Sequence, residues 1–540
     1  MIVPFVLFIF AVVVCVVYEF RGIPMMAPDI LTVQTATSVM GNYTFKLTFE
    51  QYSVILVCMA FFFTFLRLHE VKVTEKRVFH IAGFIVVALG CGLFTNQIIL
   101  SDFMEEHQIN IRMFRPMESY QKYGGVLTFA RSVGYAVVKK PEGYATAKVD
   151  QIIQEYEKKS ANEQQSTAKQ YPNIITVVNE TFADIKVLGD FKTNEDYMPY
   201  FHSLKKNCVT GYTYASIVGG QTANTEFELL TGNTLGFLSA GTTAFQLYIH
   251  GQMPSLVSNL KAEGYSGNKA MHPFNPYNYN RPAVYKDFGF TDFIDKFDFP
   301  KNVKRVREYI SDEANVDRII SEYEKNRKKT DQPFYMYNMT IQNHSPYDKD
   351  AANFKQPIKI ESSKYDAEAN RYLNLIKYSD DSLKQLTGYF EKCKEPTIIL
   401  FLGDHQPRLT DEFMNKITNG QYQTWNSEQM MKRYQVPFVI WANYDIKEQH
   451  IEKTSMNYIQ SILAKTAGVK MTGYQRFLNE VRKEVPTITS QGYWGKNGKF
   501  YQINDKGSPY YGIIQKYRMI QYNMMFDKKN RRDSFFEVSK

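Results

Sequence analysis

The sequence predicts an α/β protein in which N-terminal transmembrane helices precede a large domain with a mainly parallel sheet, covered by helices on both faces. Two observations predict this fold class. Long apolar runs are confined to about the first hundred of the 540 residues. Beyond them, short runs rich in β-branched and aromatic residues alternate with helical patterns, as buried strands of parallel sheets do.

Three apolar segments predict membrane helices, at about residues 2–18, 52–66 and 79–100. The loop between the second and third carries four basic residues, so the positive-inside tendency places it in the cytoplasm and everything after Leu100 outside. A signal peptide is the alternative for the first segment, but that segment lacks a basic leader and a small-residue cleavage site. We therefore expect a multi-pass membrane region over residues 1–100.

The rest of the chain divides by composition into three parts. Residues 101–170 contain a Gly-Gly turn, the motif KKPEGY and a polar stretch, which predict a helical tether. Residues 171–470 form the predicted catalytic domain, and residues 471–540 a C-terminal subdomain with a hairpin near 495–498. The strands of the catalytic domain are expected at 173–178, 334–341, 397–402 and 437–442.

Charge and cysteine content disfavour two classes of function. The formal net charge is +9, but no Lys/Arg run is dense enough for a nucleic-acid groove, so no nucleic-acid partner is expected. Three of the five cysteines lie within apolar runs. Cys208 and Cys393 could pair in an oxidising compartment, although their spacing does not require it. A thiolate metal site is not predicted, because no C-x-x-C motif is present.

Chemically active residues stand where the predicted strands end. Glu180 follows the first strand, His344 the second, and Asp404 with His405 the third. Ligands of open α/β sheets bind beyond the strand carboxyl ends, so these residues converge if the strands are neighbours. Taken singly, each is more often a structural residue. Their coincidence predicts an oxygen-rich divalent metal site with one imidazole, in which the adjacent Asp-His pair is the most specific part.

The segment GGQTANTEFELLTGNT (219–234) offers a nucleophile. Thr222 follows a turn of small residues, and a helix is expected to begin near Thr225 with Thr or Asn as its cap. A hydroxyl at a helix N-terminus lies beside free backbone N–H groups, where a phosphate is readily bound. Coordination to a metal would lower its pKa enough for attack on phosphorus. Thr222 as a simple helix cap is an equally good interpretation of the sequence.

Taken together, these motifs make the chain resemble the lipoteichoic acid synthase family, the polyglycerolphosphate polymerases of Gram-positive bacteria, within the alkaline phosphatase and sulfatase superfamily. The resemblance extends over residues 20–48, KKPEGY and the strand-end motifs. It implies an extracellular sulfatase-like domain on a multi-pass protein of a Gram-positive-type cell membrane. Family members typically have five membrane helices, so the three predicted here imply a shortened membrane region.

The resemblance also implies a role for each site residue. His344 would contact the phosphate or assist proton transfer, and Thr222 would be the nucleophile. Tyr279 stands where the family commonly has Trp, and Phe274 where it often has an acid. The implied ligands of one divalent ion, usually Mn²⁺ with Mg²⁺ as the alternative, are Glu180, Thr222, Asp404 and His405. The implied substrate-binding residues are His272, Tyr279, Arg281 and His344.

The activity that the resemblance implies is phosphoglycerol transfer through a covalent threonine intermediate. Phosphatidylglycerol would be the donor and a lipid-linked glycerophosphate chain the acceptor, which gives membrane attachment a purpose. Transfer of phosphoethanolamine or another head group is an alternative, as is a sulfatase-like phosphodiesterase. A sulfatase would need a C-x-P-x-R-like site, and the nucleophile segment has no cysteine. An inactive membrane scaffold is disfavoured because a chain freed from catalysis has no reason to keep every ligand.

Overall fold

A computed structural model describes most of the chain, in two compact units. The first unit comprises Met1–Lys139 with Ser239–Thr242, and the second comprises Lys140–Leu238 with Thr243–Lys540. The four-part division expected from the sequence stays a prediction. The described residues are 2–21, 24–27, 52–53, 56–57, 59–61, 63–64, 77–100, 103–107, 109, 116–136, 138–160, 170–239, 242–361 and 364–538.

Most of the described residues of the first unit are helical. Among the described residues one stretch, Ala82–Ile99, is long and apolar enough to cross a membrane. Residues 54–55, 58, 62 and 65–66 of the predicted segment 52–66, and residues 67–76 of the basic loop after it, lie outside the described residues, so the number of membrane helices stays a prediction. The helices are α1 Ile2–Arg21, α2 Arg77–Phe94 (continued as a π-helix over Thr95–Leu100), α3 Phe103–Glu106, α4 Pro116–Tyr123 and α5 Gly125–Ala136.

The second unit contains an eight-stranded sheet of order β10-β2-β9-β8-β1-β7-β3-β4. Five of its neighbouring pairs are parallel and two, both involving β9, are antiparallel, so the predicted mainly parallel sheet is confirmed. Its strands are β1 Asn173–Asn179, β2 Cys208–Tyr214, β3 Ser266–Met271, β4 Asp292–Ile294, β7 Phe334–Met339, β8 Thr397–Gly403, β9 Gln435–Ala442 and β10 Gln449–Ser455.

Smaller strands and the helices complete this unit. The short pair β5 Arg305–Val306 and β6 Tyr309–Ile310 forms a hairpin, and β11 Thr487–Thr489, β12 Gly492–Trp494 and β13 Phe500–Tyr501 form a three-stranded sheet. The helices are α6 Thr146–Ser160, α7 Pro199–Ser203, α8 Thr222–Thr231, α9 Ala244–Leu247, α10 Leu256–Ala262, α11 Arg281–Phe288, α12 Asp312–Arg327, α13 Ala367–Phe390, α14 Asp411–Ile417, α15 Ser427–Met430, α16 Met456–Ala467, α17 Gly473–Glu484, α18 Tyr511–Met525 and α19 Asp533–Phe536.

Strand β1 is buried at all seven positions, which requires cover on both faces of the sheet. Ile175 and Val177 belong to a core cluster that also contains apolar residues of α12 and α13. Side chains alternate between faces along a strand, so Ile174 and Val178, equally buried, point to the opposite side. The carboxyl end of this central strand is thus held between two packed layers, a rigid position for a functional residue.

Helix α6 packs against the C-terminal helices α17 and α18 within the second unit. The Tyr156 and Phe477 rings lie 4.6 Å apart, and Lys516 Nζ is 2.7 Å from Glu155 Oε2. The hairpin predicted near 495–498 is confirmed as β12 and β13. In this unit Cys208 and Cys393 are free thiols.

Candidate active site

The strands that precede the predicted site residues are neighbours, in the order β8-β1-β7-β3. Asn179 pairs with Gly403, which places the next residues, Glu180 and Asp404, at the same level of the sheet edge. His272 follows β3 and His344 follows β7. The convergence expected from the sequence is therefore confirmed.

Glu180, Asp404 and His405 form a buried cluster whose ligand atoms all lie within 4.8 Å of one another. His405 Nε2 is 3.2 Å from Asp404 Oδ2 and 3.8 Å from Glu180 Oε1. Each of the three is at most 3% exposed. Asp404 Oδ1 is fixed by the backbone N–H groups of Thr181 and His405, at 2.7 and 2.8 Å, so only Oδ2 faces the cluster.

The chemistry of these donors fits a cation. His405 Nδ1 lies 3.0 Å from the Gln406 carbonyl, which can only accept a hydrogen bond, so Nδ1 carries the proton and Nε2 a lone pair. His405 Nε2 and Asp404 Oδ2 are then two acceptors in contact, and both are buried without a hydrogen-bond partner. Buried acceptors without partners are costly, and a divalent ion would satisfy both. Two carboxylates and one imidazole suit Mn²⁺ or Mg²⁺ and also zinc.

Electrostatics around Glu180 support the same conclusion. Burial, followed by the charge of Asp404, raises the pKa of Glu180 well above its ordinary value. Arg281 and the hydrogen bond from Thr222 act in the opposite direction but do not reverse the shift. A second positive charge at the cluster would stabilise both carboxylates in their ionised form.

Thr222 is the first residue of α8, three residues earlier than the helix start expected from the sequence. The reason is the turn before it: Gly219, Gly220 and Gln221 all have positive φ, so the chain enters the helix abruptly. Gln221 is the N-cap residue and makes no side-chain capping bond. Thr222 Oγ1 instead donates to Glu180 Oε2 at 3.5 Å, so its hydroxyl is directed at the cluster and is not a helix cap.

Two hydrogen bonds tie the nucleophile segment to the turn that carries Asp404 and His405. Gly219 N donates to the Gln406 carbonyl at 3.0 Å, and Thr225 Oγ1 donates to the Asp404 carbonyl at 2.8 Å. Because both bonds end on backbone carbonyls, they hold α8 against the turn that carries Asp404 and His405. Thr222 and the cluster are therefore placed together by the fold.

The remaining predicted residues surround a cavity of about 80 Å³ beside the cluster. Arg408 also lines it, although sequence reasoning did not select this residue. Among the described residues of its lining, Glu180 is the one carboxylate. The predicted site residues that line the cavity are Glu180, Thr222, His272, Tyr279, Arg281, His344 and His405.

His272 and His344 share the tautomer deduced for His405. His272 Nδ1 is 3.0 Å from the Met339 carbonyl, and His344 Nδ1 is 2.7 Å from the Ser345 carbonyl. Each Nδ1 therefore carries a proton and each Nε2 a lone pair. Burial lowers the pKa of His344, and it lowers that of His272 further, with help from the charge of Arg281. Both imidazoles are thus kept neutral.

Arg307 holds the loop that carries His344, a role the sequence did not reveal. Its guanidinium donates to the carbonyls of Gln342, His344 and Pro346 at 2.7 to 2.9 Å. Phe274 stacks on the His344 ring with centroids 6.2 Å apart. An aromatic ring therefore forms this wall of the cavity.

A buried polar network supports the strand ends from below. Asn343 Nδ2 donates to Asn179 Oδ1, the Glu180 carbonyl and Ser379 Oγ, all within 3.0 Å. Asp312 Oδ2 accepts from Asn179 and Ser379 at 2.7 and 2.6 Å. These groups fix the backbone on which Glu180 stands.

This placement of a threonine and an acid-rich cluster at the strand ends is that of the α/β enzymes that transfer phosphoryl or sulfuryl groups. The chain belongs to the sulfatase family, whose sequence profile matches residues 172–469. The predicted resemblance to lipoteichoic acid synthases is confirmed by relatives of both sequence and fold.

The chain is 30% identical over 433 residues to a putative cyclic β-1,2-glucan modification protein of Rhizobium meliloti, covering 79% of this chain and 65% of that protein. It is 24% identical to a lipoteichoic acid synthase of Staphylococcus saprophyticus, covering 66% of this chain and 55% of that one. The chain thus spans less than two thirds of either relative. The phosphoglycerol transferase GacH of Streptococcus pyogenes, solved with sn-glycerol-1-phosphate, shares the fold with a TM-score of 0.60 at 21% identity, over 74% of this chain and 100% of that one.

Proposed function

We propose that the protein is a membrane-anchored phosphoglycerol transferase that takes glycerophosphate from phosphatidylglycerol and passes it to an acceptor hydroxyl through a covalent intermediate on Thr222. The observation that carries the proposal is the contact of Thr222 with the Glu180–Asp404–His405 cluster at the N-terminus of α8. A hydroxyl that only capped the helix would point at backbone N–H groups.

Glu180, Thr222, Asp404 and His405 would hold one divalent ion, most simply Mn²⁺ or Mg²⁺. When bound, such an ion supplies a Lewis acid that lowers the pKa of the threonine hydroxyl and offsets charge on the phosphate. In the first step a bond forms from Thr222 Oγ1 to phosphorus and the bond to diacylglycerol breaks. In the second step an acceptor hydroxyl attacks phosphorus and Thr222 leaves. Two in-line displacements retain configuration at phosphorus.

The histidines and the arginine have complementary roles in this proposal. Arg281 donates hydrogen bonds to the phosphate as its charge shifts. His344, neutral and with a free lone pair on Nε2, passes the proton of Thr222 to the departing diacylglycerol oxygen in the first step. In the second step it takes the proton of the acceptor hydroxyl and passes it to Thr222 Oγ1 as that oxygen leaves. His272, also neutral, accepts a hydrogen bond from a hydroxyl of the head group. Tyr279 forms part of the wall around that head group.

The lining of the cavity favours glycerol over ethanolamine as the head group. To be bound, the ammonium group of ethanolamine needs a carboxylate, or a cage of aromatic rings with no other positive charge beside it. In the described lining the one carboxylate belongs to the proposed metal site, while Arg408 adds positive charge. A neutral glycerol with two hydroxyls is compatible with that environment, and a cationic head group is not.

The acceptor has two candidates. Lipoteichoic acid synthases among the relatives suggest a lipid-linked glycerophosphate chain. Another relative is named as a putative cyclic β-1,2-glucan modification protein, which suggests a sugar hydroxyl as the second candidate. In either case the phosphatidylglycerol donor stays in the bilayer, so a membrane anchor keeps the catalytic domain near its substrate. We therefore place the protein in the cell membrane, with the catalytic domain outside.

The test is to incubate the full chain in lipid nanodiscs with Mn²⁺ and labelled phosphatidylglycerol or phosphatidylethanolamine. Mass spectrometry of the peptide containing Thr222 should find a glycerophosphate adduct with the first lipid and none with the second. Offering a glycerophosphate oligomer or a cyclic glucan should then discharge the adduct onto one acceptor. An ethanolamine phosphate adduct, or turnover without any adduct on Thr222, would refute the proposal.

A further inference from the structure

Glu226 is a buried carboxylate that the proposed chemistry does not use. It lies on α8 four residues after Thr222, so both side chains project from neighbouring turns of the same helix. Its side chain is fully buried, and Arg281, its partner, is 1% exposed. A buried charge of this kind is retained at a cost unless it is fully paired.

Among the described residues, the side chains that donate hydrogen bonds to Glu226 lie at or behind the cavity. Its Oε1 accepts from Arg281 Nε at 3.0 Å and Nη2 at 2.7 Å. Its Oε2 accepts from the hydroxyls of Tyr337, at 3.1 Å, and Tyr285. These donors come from α11 and β7, so one carboxylate joins three elements around the site.

The pairing fixes Arg281 in orientation. Two bonds to the same oxygen hold the plane of the guanidinium, and the Tyr279 ring covers it with its centroid 5.1 Å away. Burial, followed by the charge of Glu226, raises the pKa values of Tyr285 and Tyr337 well above the ordinary value. Both hydroxyls therefore keep their protons and donate them to Glu226.

We propose that Glu226 is a positioning residue that orients Arg281 toward the substrate phosphate and fixes that donor relative to Thr222. The inference rests on the proposed function in one respect, namely that a phosphate occupies the cavity. Since Glu226 offsets the charge of Arg281, the arginine contributes directed hydrogen bonds more than net positive charge.

A double-mutant cycle tests the proposal, because residues that act through one another have non-additive effects. The variants are Glu226→Gln, Arg281→Gln and the double variant, each as the full chain in detergent with Mn²⁺. The readouts are the Kd for sn-glycerol-1-phosphate by calorimetry, and kcat and KM for phosphatidylglycerol. We expect each single change to weaken binding by about tenfold or more, and the double variant to bind as Arg281→Gln does. Additive losses, or an unchanged Kd for Glu226→Gln, would overturn it.

Glu228→Gln is the matched control, since Glu228 is an equally buried carboxylate of α8 that bonds Ser216, Thr234 and Leu235 and not Arg281. It should leave the Kd unchanged; a loss equal to that of Glu226→Gln would show a general effect of neutralising α8 and refute the proposal.

If Glu226→Gln does not fold, Tyr337→Phe removes one hydrogen bond to the carboxylate and should weaken binding by about threefold. An unchanged Kd in that variant would count against the proposal.

The binding readout separates this inference from the proposed function. Wild-type protein that binds glycerol phosphate in a Glu226-dependent way but forms no adduct from phosphatidylglycerol would remove the proposed function and keep the positioning role. Normal adduct formation on Thr222, together with a Kd that does not change in Glu226→Gln, would remove the positioning role and keep the proposed function.

Discussion

Thr222 is the residue on which the proposed chemistry depends, and its surroundings distinguish a nucleophile from a cap. Its hydroxyl reaches Glu180, while the cap position belongs to Gln221, which makes no capping bond through its side chain. The neighbouring lone pairs of Asp404 and His405 face each other without a proton between them. At the scale of single residues, these contacts therefore support the proposal of a cation beside the Thr222 hydroxyl.

Replacing Thr222 by Ala should abolish transfer, because among the described residues the hydroxyl that donates to the Glu180 carboxylate is that of Thr222. We expect kcat to fall by at least about 10³-fold, with Thr222→Ser keeping part of the activity. Release of diacylglycerol from labelled phosphatidylglycerol is the measurement. Thr231→Ala is the control, since Thr231 bonds the Phe227 carbonyl within the same helix and should retain activity. Full activity in Thr222→Ala would exclude the covalent mechanism.

Replacing Asp404 by Asn should weaken Mn²⁺ binding, because the amide loses the charge of a direct ligand. The loss should exceed the roughly 10–100-fold caused by removing an outer hydrogen-bond partner. Titration followed by electron paramagnetic resonance measures it, with the exposed His250→Gln as the control. Equal affinity in the Asp404 variant and the control would place the metal elsewhere.

The sequence predicted the residues of the cluster because each follows an apolar strand at once, and neighbouring strands bring such positions together. Glu226 was missed although its spacing of four from Thr222 could have indicated a shared helix face. Arg307 could not have been found, because its role depends on three backbone carbonyls of a loop distant in sequence.

At the scale of secondary-structure elements, the strands and turns determine how accurately the site residues are placed. Gly403 ends β8 directly before Asp404, and a Cβ there would lie 1.8 Å from the Phe182 carbonyl oxygen. Displacing backbone atoms beside a central strand costs free energy of folding. The absence of a side chain at 403 therefore lets the turn that carries Asp404 and His405 lie against the turn after β1.

Replacing Gly403 by Ala should destabilise the fold by about 3 kcal/mol or more, because the clash is with backbone. Gly388→Ala is the matched control, since Gly388 lies within α13 with no atom within 4 Å of its Cβ position. It should stabilise the protein by about 0.5–1 kcal/mol. Thermal unfolding of both variants tests the pair, and equal melting temperatures would contradict the account.

The elements predicted correctly are the apolar strands, and those missed are polar or short. The predicted runs became β1, β7, β8 and β9, all almost entirely buried. The edge strands β10 and β4 have exposed positions, and β2 and β3 contain Gly, Lys or Thr at positions that an apolar-run criterion rejects. Antiparallel β9 could not be oriented from its own sequence.

For the whole molecule, buried carboxylates link stability to pH. Burial raises the pKa of Glu228 to about 7, although three hydrogen bonds to Oε1 act against the shift. The folded protein therefore keeps a proton that the unfolded chain, with an ordinary glutamate pKa, has already released. Stability from this group is complete below the ordinary pKa and is lost as the pH rises through about 7.

Glu228→Gln should remove that dependence. Relative to wild type, the variant should gain about 2 kcal/mol of stability between pH 5 and pH 8.5, because Gln carries no charge to bury. Melting temperatures at the two pH values measure the gain, with the exposed Glu428→Gln as the control. A gain of the opposite sign, or the same change in the control, would show that Glu228 is not the group responsible.

The whole-molecule organisation was less accessible to the sequence than the site. Helix α6 was expected in a tether, yet it packs with α17 and α18, whose sequences lie more than three hundred residues away. Such long-range packing leaves no local pattern. By contrast, the family resemblance followed from short motifs. The chemistry of a site restricts which residue types can stand in such a motif more strongly than packing restricts the residue types on a helix surface.

The most direct test of the central claim is an anomalous diffraction map of the protein crystallised with Mn²⁺, recorded at the manganese edge. The account predicts a single peak in contact with Glu180 Oε, Thr222 Oγ1, Asp404 Oδ2 and His405 Nε2. A peak that excludes Thr222, or no peak at this cluster under saturating Mn²⁺, would contradict it.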